Sequence, residues 1–360
     1  MRKQTASQTA AVWVLILLNL LWACSAGPQA ASTSAVDTYW PTETWQTSTP
    51  EEQGMDSGKL QAMLAEVQAC QINLHSLLVI RNGFIVSETY FGAYRQNTRH
   101  TLYSCTKSFI STLVGIAIDQ GLIKNPDQKV TDLLSSYPIQ NLDAQKQAMT
   151  LDDLLTMRSG LAWQEGDAAY MELYRSPDWV SYMLEKPMAQ PPGTVFNYCS
   201  GCSHLLSAIV KQASGMNPEE FAKQYLFKPL GITRYLWEKG SGGLSIGGWG
   251  LQLTPRDMAK LGYLFLHQGL WDGQQVVSAA WVQTATQAHT STDGELGYGY
   301  QWWVVPEHHA YTALGLDGQT IYVVPESQLV IVTTAATTDG HDAIFRLIEQ
   351  FILPAMTDSP

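Results

Sequence analysis

Positive charge is scarce in this chain. Its 360 residues carry 21 Lys and Arg against 32 Asp and Glu, a formal net charge of −11, and only 15% of the residues are charged. A protein that grips a nucleic-acid backbone needs clustered basic residues, so that class is excluded and anionic polymers are poor partners. Metal-ligand spacing is lacking too. Cys199-Ser200-Gly201-Cys202 is a C-x-x-C, but no second pair or histidine cluster stands at zinc spacing and no βαβ pattern surrounds it. Buried thiols or a structural disulfide are the plainer readings. No apolar run is long enough to cross a bilayer as a stable helix. There is no internal repeat.

What is present suits one or two globular domains with a sizeable core: 45% apolar residues, 28 Gly, 12 Trp and 16 Tyr. Arg2 and Lys3 precede an apolar stretch from Ala10 to Ala23, the pattern of a secretory leader over residues 1–23. Leu21-Trp22-Ala23-Cys24 resembles a bacterial lipoprotein cleavage box, in which Cys24 becomes the lipidated first residue. The expected location is therefore exported: periplasmic and lipid-anchored to a bacterial membrane through Cys24, with simple secretion as the alternative. Residues 24–49 are rich in Ser, Thr, Ala and Pro and read as a flexible tether, so the fold is expected to start near Pro50. With Cys24 set aside, Cys70, Cys105, Cys199 and Cys202 remain in a compartment that permits disulfides.

Asp56 can cap a helix whose apolar residues Leu60, Met63, Leu64 and Val67 form one stripe. Two strand-like runs, Ser76 to Arg81 and Phe84 to Phe91, flank Asn82-Gly83, a strong two-residue hairpin signal. From Thr106 to about Gln287 helical patterns dominate: Phe109 to Asp119, Leu151 to Met157, His204 to Gln212 and Pro218 to Leu226. Strand patterns return at Gly299 to Val305, Gln319 to Val324 and Leu329 to Thr334, and Ala343 to Leu353 is a last helix stopped by Pro354. The pattern predicts an α+β architecture: an α/β lobe from residues 50–105 and 290–356, with an antiparallel sheet and terminal helices, and a mainly helical lobe over 106–289. A cleft between lobes is the natural site.

Tyr103-Ser104-Cys105-Thr106-Lys107 holds the only S-x-x-K in the chain. By itself this is weak, since a capping Ser and a surface Lys would look the same. The following segment, Phe109 to Ile118, is apolar almost all round, which predicts a buried helix with Ser104 at its start. An i, i+3 spacing sets the Lys107 amine beside the Ser104 hydroxyl, and burial would lower the lysine pKa until it can take the serine proton.

These residues, with others in order, carry a resemblance. Pro50-Glu51-Glu52-Gln53-Gly54-Met55, Leu102 to Phe109, Leu154-Leu155-Thr156-Met157-Arg158-Ser159-Gly160-Leu161, Phe196-Asn197-Tyr198-Cys199-Ser200-Gly201, Leu253 to Ala259 and Tyr298-Gly299-Tyr300-Gln301-Trp302-Trp303 look like signatures of one superfamily. From Trp40 to Leu353 the chain resembles the serine beta-lactamases and penicillin-binding proteins, in particular their class C-like esterase and 6-aminohexanoate-dimer hydrolase branch. The resemblance implies a beta-lactamase/transpeptidase-like fold with a five-stranded antiparallel sheet, no metal or organic cofactor, and a small-molecule ester or amide as partner.

It also implies roles. Ser104 would be the nucleophile, Lys107 its activating base and Tyr198 the proton shuttle of a Tyr-x-Asn motif. Here that motif reads Tyr198-Cys199-Ser200, so Ser200 stands where the family has an amide that contacts substrate. The third motif, normally Lys-Thr-Gly or His-x-Gly, falls at Ala313-Leu314-Gly315-Leu316-Asp317-Gly318-Gln319 and lacks its cation. A substrate carboxylate would lose its usual partner, which argues against efficient beta-lactam or D-Ala-D-Ala hydrolysis. Gly315 would permit close approach, and the Leu316 N–H with the Ser104 N–H would form the oxyanion hole. Beta-lactamase or D-Ala-D-Ala carboxypeptidase activity, and a non-catalytic sensor of the same fold, remain open alternatives. A Cys105–Cys199 bridge across the cleft is also open, because each cysteine follows a site residue.

Three other features carry less. Gly243-Leu244-Ser245-Ile246-Gly247 is a formal G-x-S-x-G, but no strand precedes it and Gly247-Gly248-Trp249-Gly250 cannot start a good helix. His308-His309 and His341 read as surface or loop histidines. The aromatic run Tyr298 to Trp303 reads as core or cleft wall, with substrate contact possible in principle.

Overall fold

The computed structural model describes residues 39–292 and 294–357. The expected leader, Cys24 and the front of the expected tether lie outside these residues. From Tyr39 onward, however, the segment expected to be tether belongs to the fold. Trp45 is buried and its indole N–H donates to the Arg256 carbonyl at 3.1 Å, while Trp40 packs against Tyr263, His267 and Trp271. Ser, Thr and Pro content masked two aromatic anchors whose burial outweighs it.

Helix α1 (Ser57–Ala69) starts as its sequence dictates, with the Asp56 carboxylate accepting from the Gly58 and Lys59 amides. Strands β1 (Leu74–Arg81) and β2 (Phe84–Tyr90) form the expected hairpin, and Asn82 and Gly83 take φ of 51° and 86° at its turn. The later strands of the same sheet are β3 (Thr290–Ser291), β4 (Gly297–Tyr298), β5 (Trp303–Val305), β6 (Ala310–Gly315), β7 (Gln319–Val324) and β8 (Leu329–Ala335). The antiparallel sheet has eight strands in the order β2-β1-β8-β7-β6-β5-β4-β3, against the five expected.

The additional strands are short, and one reason for the miscount is local. The run Gly299 to Val305 was expected to be a single strand, but Gln301 has φ of 61° and separates β4 from β5. Its buried side-chain amide donates to the carbonyls of Leu154 and Leu155 and its side-chain oxygen accepts from Ser203. Tertiary hydrogen bonds of this kind leave no trace in an apolar pattern.

One face of the sheet is covered by α1 and the C-terminal segment beginning with α8 (Asp342–Leu347), through Met63, Val67, Ile344 and Leu347. The last helix is shorter than expected, since it passes through a π turn at Ile348–Ile352 into a 3-10 turn containing Pro354. The other face packs on α2 (Thr106–Asp119), α6 (Ser200–Ser214) and α7 (Pro255–Leu266), with the short helices α3 (Leu151–Leu155), α4 (Asp167–Arg175) and α5 (Trp179–Leu184) beyond. Helix α7 lies inside the stretch expected to be a separate helical lobe, yet it packs on β7 and β8. Gly262 makes that possible, because a Cβ there would sit 2.7 Å from the Val330 side chain and 2.9 Å from Ile321.

Candidate active site

The nucleophile candidate sits where a strained residue ends a strand-like entry. Tyr103 has φ of 46°, uncommon for a bulky residue, and a 3-10 turn over Tyr103–Cys105 runs into α2. All residues of α2 from Thr106 to Ala117 are buried, as the all-round apolar pattern requires. Ser104 stays half-open while Lys107, one turn on, is 1% exposed.

The Lys107 ammonium nitrogen lies 2.9 Å from Ser104 Oγ, 2.9 Å from Ser200 Oγ and 2.8 Å from the Gly248 carbonyl oxygen. Burial pushes its pKa down to about 8, against the opposing pull of Glu165 and Cys105. The same nitrogen is 4.7 Å above the Tyr198 ring centroid. Burial raises the Tyr198 phenol well above its ordinary range, and a hydrogen bond with Ser104 partly offsets this. Ser104, Lys107 and Tyr198 are thus brought together.

The glycine run Gly247-Gly248, which overlaps the formal G-x-S-x-G, has a supporting place instead. A Cβ on Gly247 would stand 2.1 Å from the Ser203 carbonyl oxygen and one on Gly248 2.7 Å from that of Ser200. Only a chain without side chains can lie this close to α6, and the approach delivers the Gly248 carbonyl to Lys107. Ser245 is buried against Asn217, away from the cleft.

Ser200 is placed differently from its expected role. It is fully buried at the first turn of α6, under the site rather than on the cleft wall. Its amide donates to Glu165 Oε2 at 3.0 Å and its hydroxyl donates to Glu165 Oε1, which also receives the Tyr170 phenol; the Trp163 indole N–H donates to Oε2. Burial works against the Glu165 charge, but Lys107 and the hydrogen bonds from Ser200 and Tyr170 outweigh it and hold the carboxyl below the usual range. Glu165 and Tyr170 had not been expected in the site. Glu165 lies in the irregular stretch before α4, where spacing carries no signal.

Cys199 pairs with Cys202. This excludes the Cys105–Cys199 bridge: the C-x-x-C puts both partners on one turn of α6, and Cys105 is a free, buried thiol beside the Gln319 carbonyl on β7. Burial raises its pKa.

Strand β6 brings the third motif to the nucleophile. Gly315 and the 61%-exposed Leu316 line one open cleft of about 1090 Å³ together with Ser104, Tyr198 and Trp303. Among the described residues no Lys or Arg lines it, whereas Glu165, Asp167, Asp339 and Asp342 do. His341 also lines this wall, with its ring at the Gln319 carbonyl, and burial lowers its pKa. His308 instead meets the Tyr322 phenol. Among the described residues no cluster of His, Cys, Asp and Glu could hold a metal ion.

A beta-lactamase family model matches residues 60–351. The chain is 27% identical over 286 residues to the 6-aminohexanoate-dimer hydrolase of Paenarthrobacter ureafaciens, covering 73% of each, and 26% identical over 307 residues to penicillin-binding protein 4 of Amycolatopsis lactamdurans, covering 70% of this chain and 79% of that one. Among solved structures it is similar to a family VIII carboxylesterase, with TM-score 0.68, 17% identity and 86% and 98% of the two chains covered. The octameric penicillin-binding-protein homologue of Pyrococcus abyssi is similar at TM-score 0.67 and 18% identity, with 83% and 78% covered. On the extent of the family match and the agreement in fold, the chain belongs to the beta-lactamase family of serine hydrolases.

Proposed function

We propose that the protein hydrolyses an ester or small amide through an acyl-enzyme on Ser104. The observation that carries this reading is the 2.9 Å contact between Ser104 Oγ and the buried Lys107 amine. In its neutral form that amine takes the hydroxyl proton as Ser104 Oγ attacks the carbonyl carbon. The Ser104 and Leu316 amides receive the oxyanion. Collapse of the tetrahedral intermediate expels the alcohol or amine, which is protonated from Lys107 through the Tyr198 phenol. Water then attacks the acyl-enzyme with the same groups acting in reverse, releasing the acid and restoring Ser104.

The cleft favours uncharged or cationic substrates, because four carboxylates and no Lys or Arg line it among the described residues. An ester or small amide is therefore preferred over a carboxylate-bearing beta-lactam or D-Ala-D-Ala peptide. Activity of a curated relative on 6-aminohexanoate dimer is consistent with amide cleavage. We also propose export with lipidation at Cys24; the Cys199–Cys202 disulfide supports an oxidising compartment. Mass spectrometry of the mature N-terminus tests this, and an unmodified start beyond Cys24 rejects lipidation.

The central test is a stopped-flow burst with a p-nitrophenyl ester, alongside nitrocefin and a D-Ala-D-Ala peptide. A burst with the ester, absent in Ser104→Ala, is expected. Unchanged turnover in that variant overturns the assignment.

A further inference from the structure

Lys107 must present a lone pair to Ser104 each time it acts as a base, yet a buried amine is free to rotate its hydrogens. Something has to hold them. The partners of Lys107 differ in what they can do. Gly248 offers a carbonyl oxygen, which only accepts. Ser200 offers a hydroxyl, which can donate or accept, so its direction depends on what lies beyond it. Beyond it is Glu165, whose ionised carboxylate only accepts.

We propose that Glu165 is a positioning residue that acts through Ser200 to aim the lone pair of Lys107 at Ser104. This rests on the acyl-enzyme reading above. The Ser200 hydrogen is drawn to Glu165, so Ser200 Oγ has only lone pairs for Lys107. A neutral amine has two N–H bonds. One goes to Gly248 and one to Ser200, and the remaining position, facing Ser104 Oγ, is the lone pair. The Tyr170 phenol lies within hydrogen-bond distance of both Glu165 and Ser200 and closes the network from α4.

The carboxylate's two oxygens do different things. Oε2 receives the Ser200 amide and the Trp163 indole N–H, which can only donate, while Oε1 receives the hydroxyls of Ser200 and Tyr170, which can turn round. In Glu165→Gln the amide oxygen must therefore take the Oε2 side, and its NH2 faces the hydroxyls. Ser200 then becomes an acceptor from Gln and turns its own hydrogen toward Lys107, where it competes with Ser104 for the lone pair. Reversing the hydroxyl is worse than deleting it. Glu165→Gln is expected to be more damaging than Ser200→Ala, although the second is the larger excision from the site.

A second readout is the acid limb of kcat/KM. The titratable groups facing Lys107 are Cys105 from its own turn, Tyr198 from the segment before α6, and Glu165 from the stretch before α4; of these Glu165 is the anionic one that raises the Lys107 pKa most. Removing its charge moves the limb to lower pH, a shift that a merely structural residue does not produce.

The experiment measures kcat and KM against pH for a p-nitrophenyl ester with the wild type, Glu165→Gln, Glu165→Asp and Ser200→Ala. Circular dichroism and labelling of Ser104 by a fluorophosphonate are run on each. The expected result is a kcat loss of about 100-fold in Glu165→Gln, in the range of a general-base contribution, with KM little changed, a smaller loss in Ser200→Ala, and substantial recovery in Glu165→Asp. The acid limb moves down in Glu165→Gln and holds in Glu165→Asp. Equal or greater loss in Ser200→Ala, or a wild-type pH profile in Glu165→Gln, overturns the role of Glu165 while leaving the serine mechanism intact. Should Glu165→Gln not fold, an undiminished kcat in Ser200→Ala overturns it instead, since the effect is transmitted through that hydroxyl. Absence of any label on wild-type Ser104 overturns both readings.

Discussion

Gly315 lies so close to Leu102 that a Cβ on the glycine would stand 2.2 Å from the Leu102 carbonyl oxygen. Leu102 immediately precedes the turn that carries Ser104, so this contact sets how near the end of β6 comes to the nucleophile. The φ of −123° at Gly315 is accessible to any residue, and the constraint is therefore steric rather than conformational. Gly315→Ala should push β6 and the Leu316 amide away from Ser104. The expected stability loss is roughly 1–3 kcal/mol, typical of overpacking. Loss of one oxyanion donor costs about 100-fold or more in kcat. Urea denaturation and ester kinetics on the variant check both, and a wild-type kcat would show that Leu316 is not an oxyanion donor.

Lys107 links both activity and stability to pH, and in the same direction. The folded-state value is lowered to about 8 by burial, from 10.5 for the ordinary side chain. Between these values the unfolded chain holds the proton and the folded chain does not, so unfolding takes up protons and stability contributed by this group rises with pH across that window. Below about pH 8 the folded protein carries the desolvated charge in full. Activity that needs the neutral amine should likewise rise through about pH 8. Lys107→Met, isosteric and uncharged, removes both dependences. The difference in urea-unfolding free energy between wild type and Lys107→Met should move in favour of the wild type from pH 8 to 10, and a flat difference would contradict the depressed pKa.

How much of this was legible in the sequence depended on whether a residue acts through its neighbours in the chain or through space. Ser104 and Lys107 share one turn, and the burial of Lys107 follows from the apolar run behind it. The hairpin at Asn82-Gly83 and the cap at Asp56 are equally local. Glu165 is the opposite case: it reaches Ser200, 35 residues on, from an irregular stretch, and nothing in its spacing marks it. The family motif implies a substrate contact at Ser200, while the structure buries it beneath Lys107. The Ser200 hydroxyl lies 2.9 Å from Lys107 Nζ and donates to Glu165, so it links the two charged groups. His341 was similarly obscured, because only the return of the chain after β8 brings it to the wall near Gly315.

The charge of the cleft leads to a test of substrate class that needs no variant. Glu165, Asp167, Asp339 and Asp342 line it, and the chain as a whole carries −11. Glu165 is engaged with Ser200, Trp163 and Tyr170, which leaves the three aspartates to set the field that an incoming substrate meets. At the separations of an open cleft each contributes modestly in water, and their sum acts mainly on capture. Three p-nitrophenyl esters of matched length, ending in a methyl, a trimethylammonium and a carboxylate group, should separate in kcat/KM in the order cationic, neutral, anionic. The spread should reside in KM and should narrow as salt rises from about 10 to 500 mM, because the Debye length shrinks from about 30 Å to a few ångströms. Asp339→Asn with Asp342→Asn should reduce the cationic preference without altering turnover of the neutral ester. An anionic ester that matches the neutral one at low salt would place the acyl or leaving-group tail outside this acidic wall.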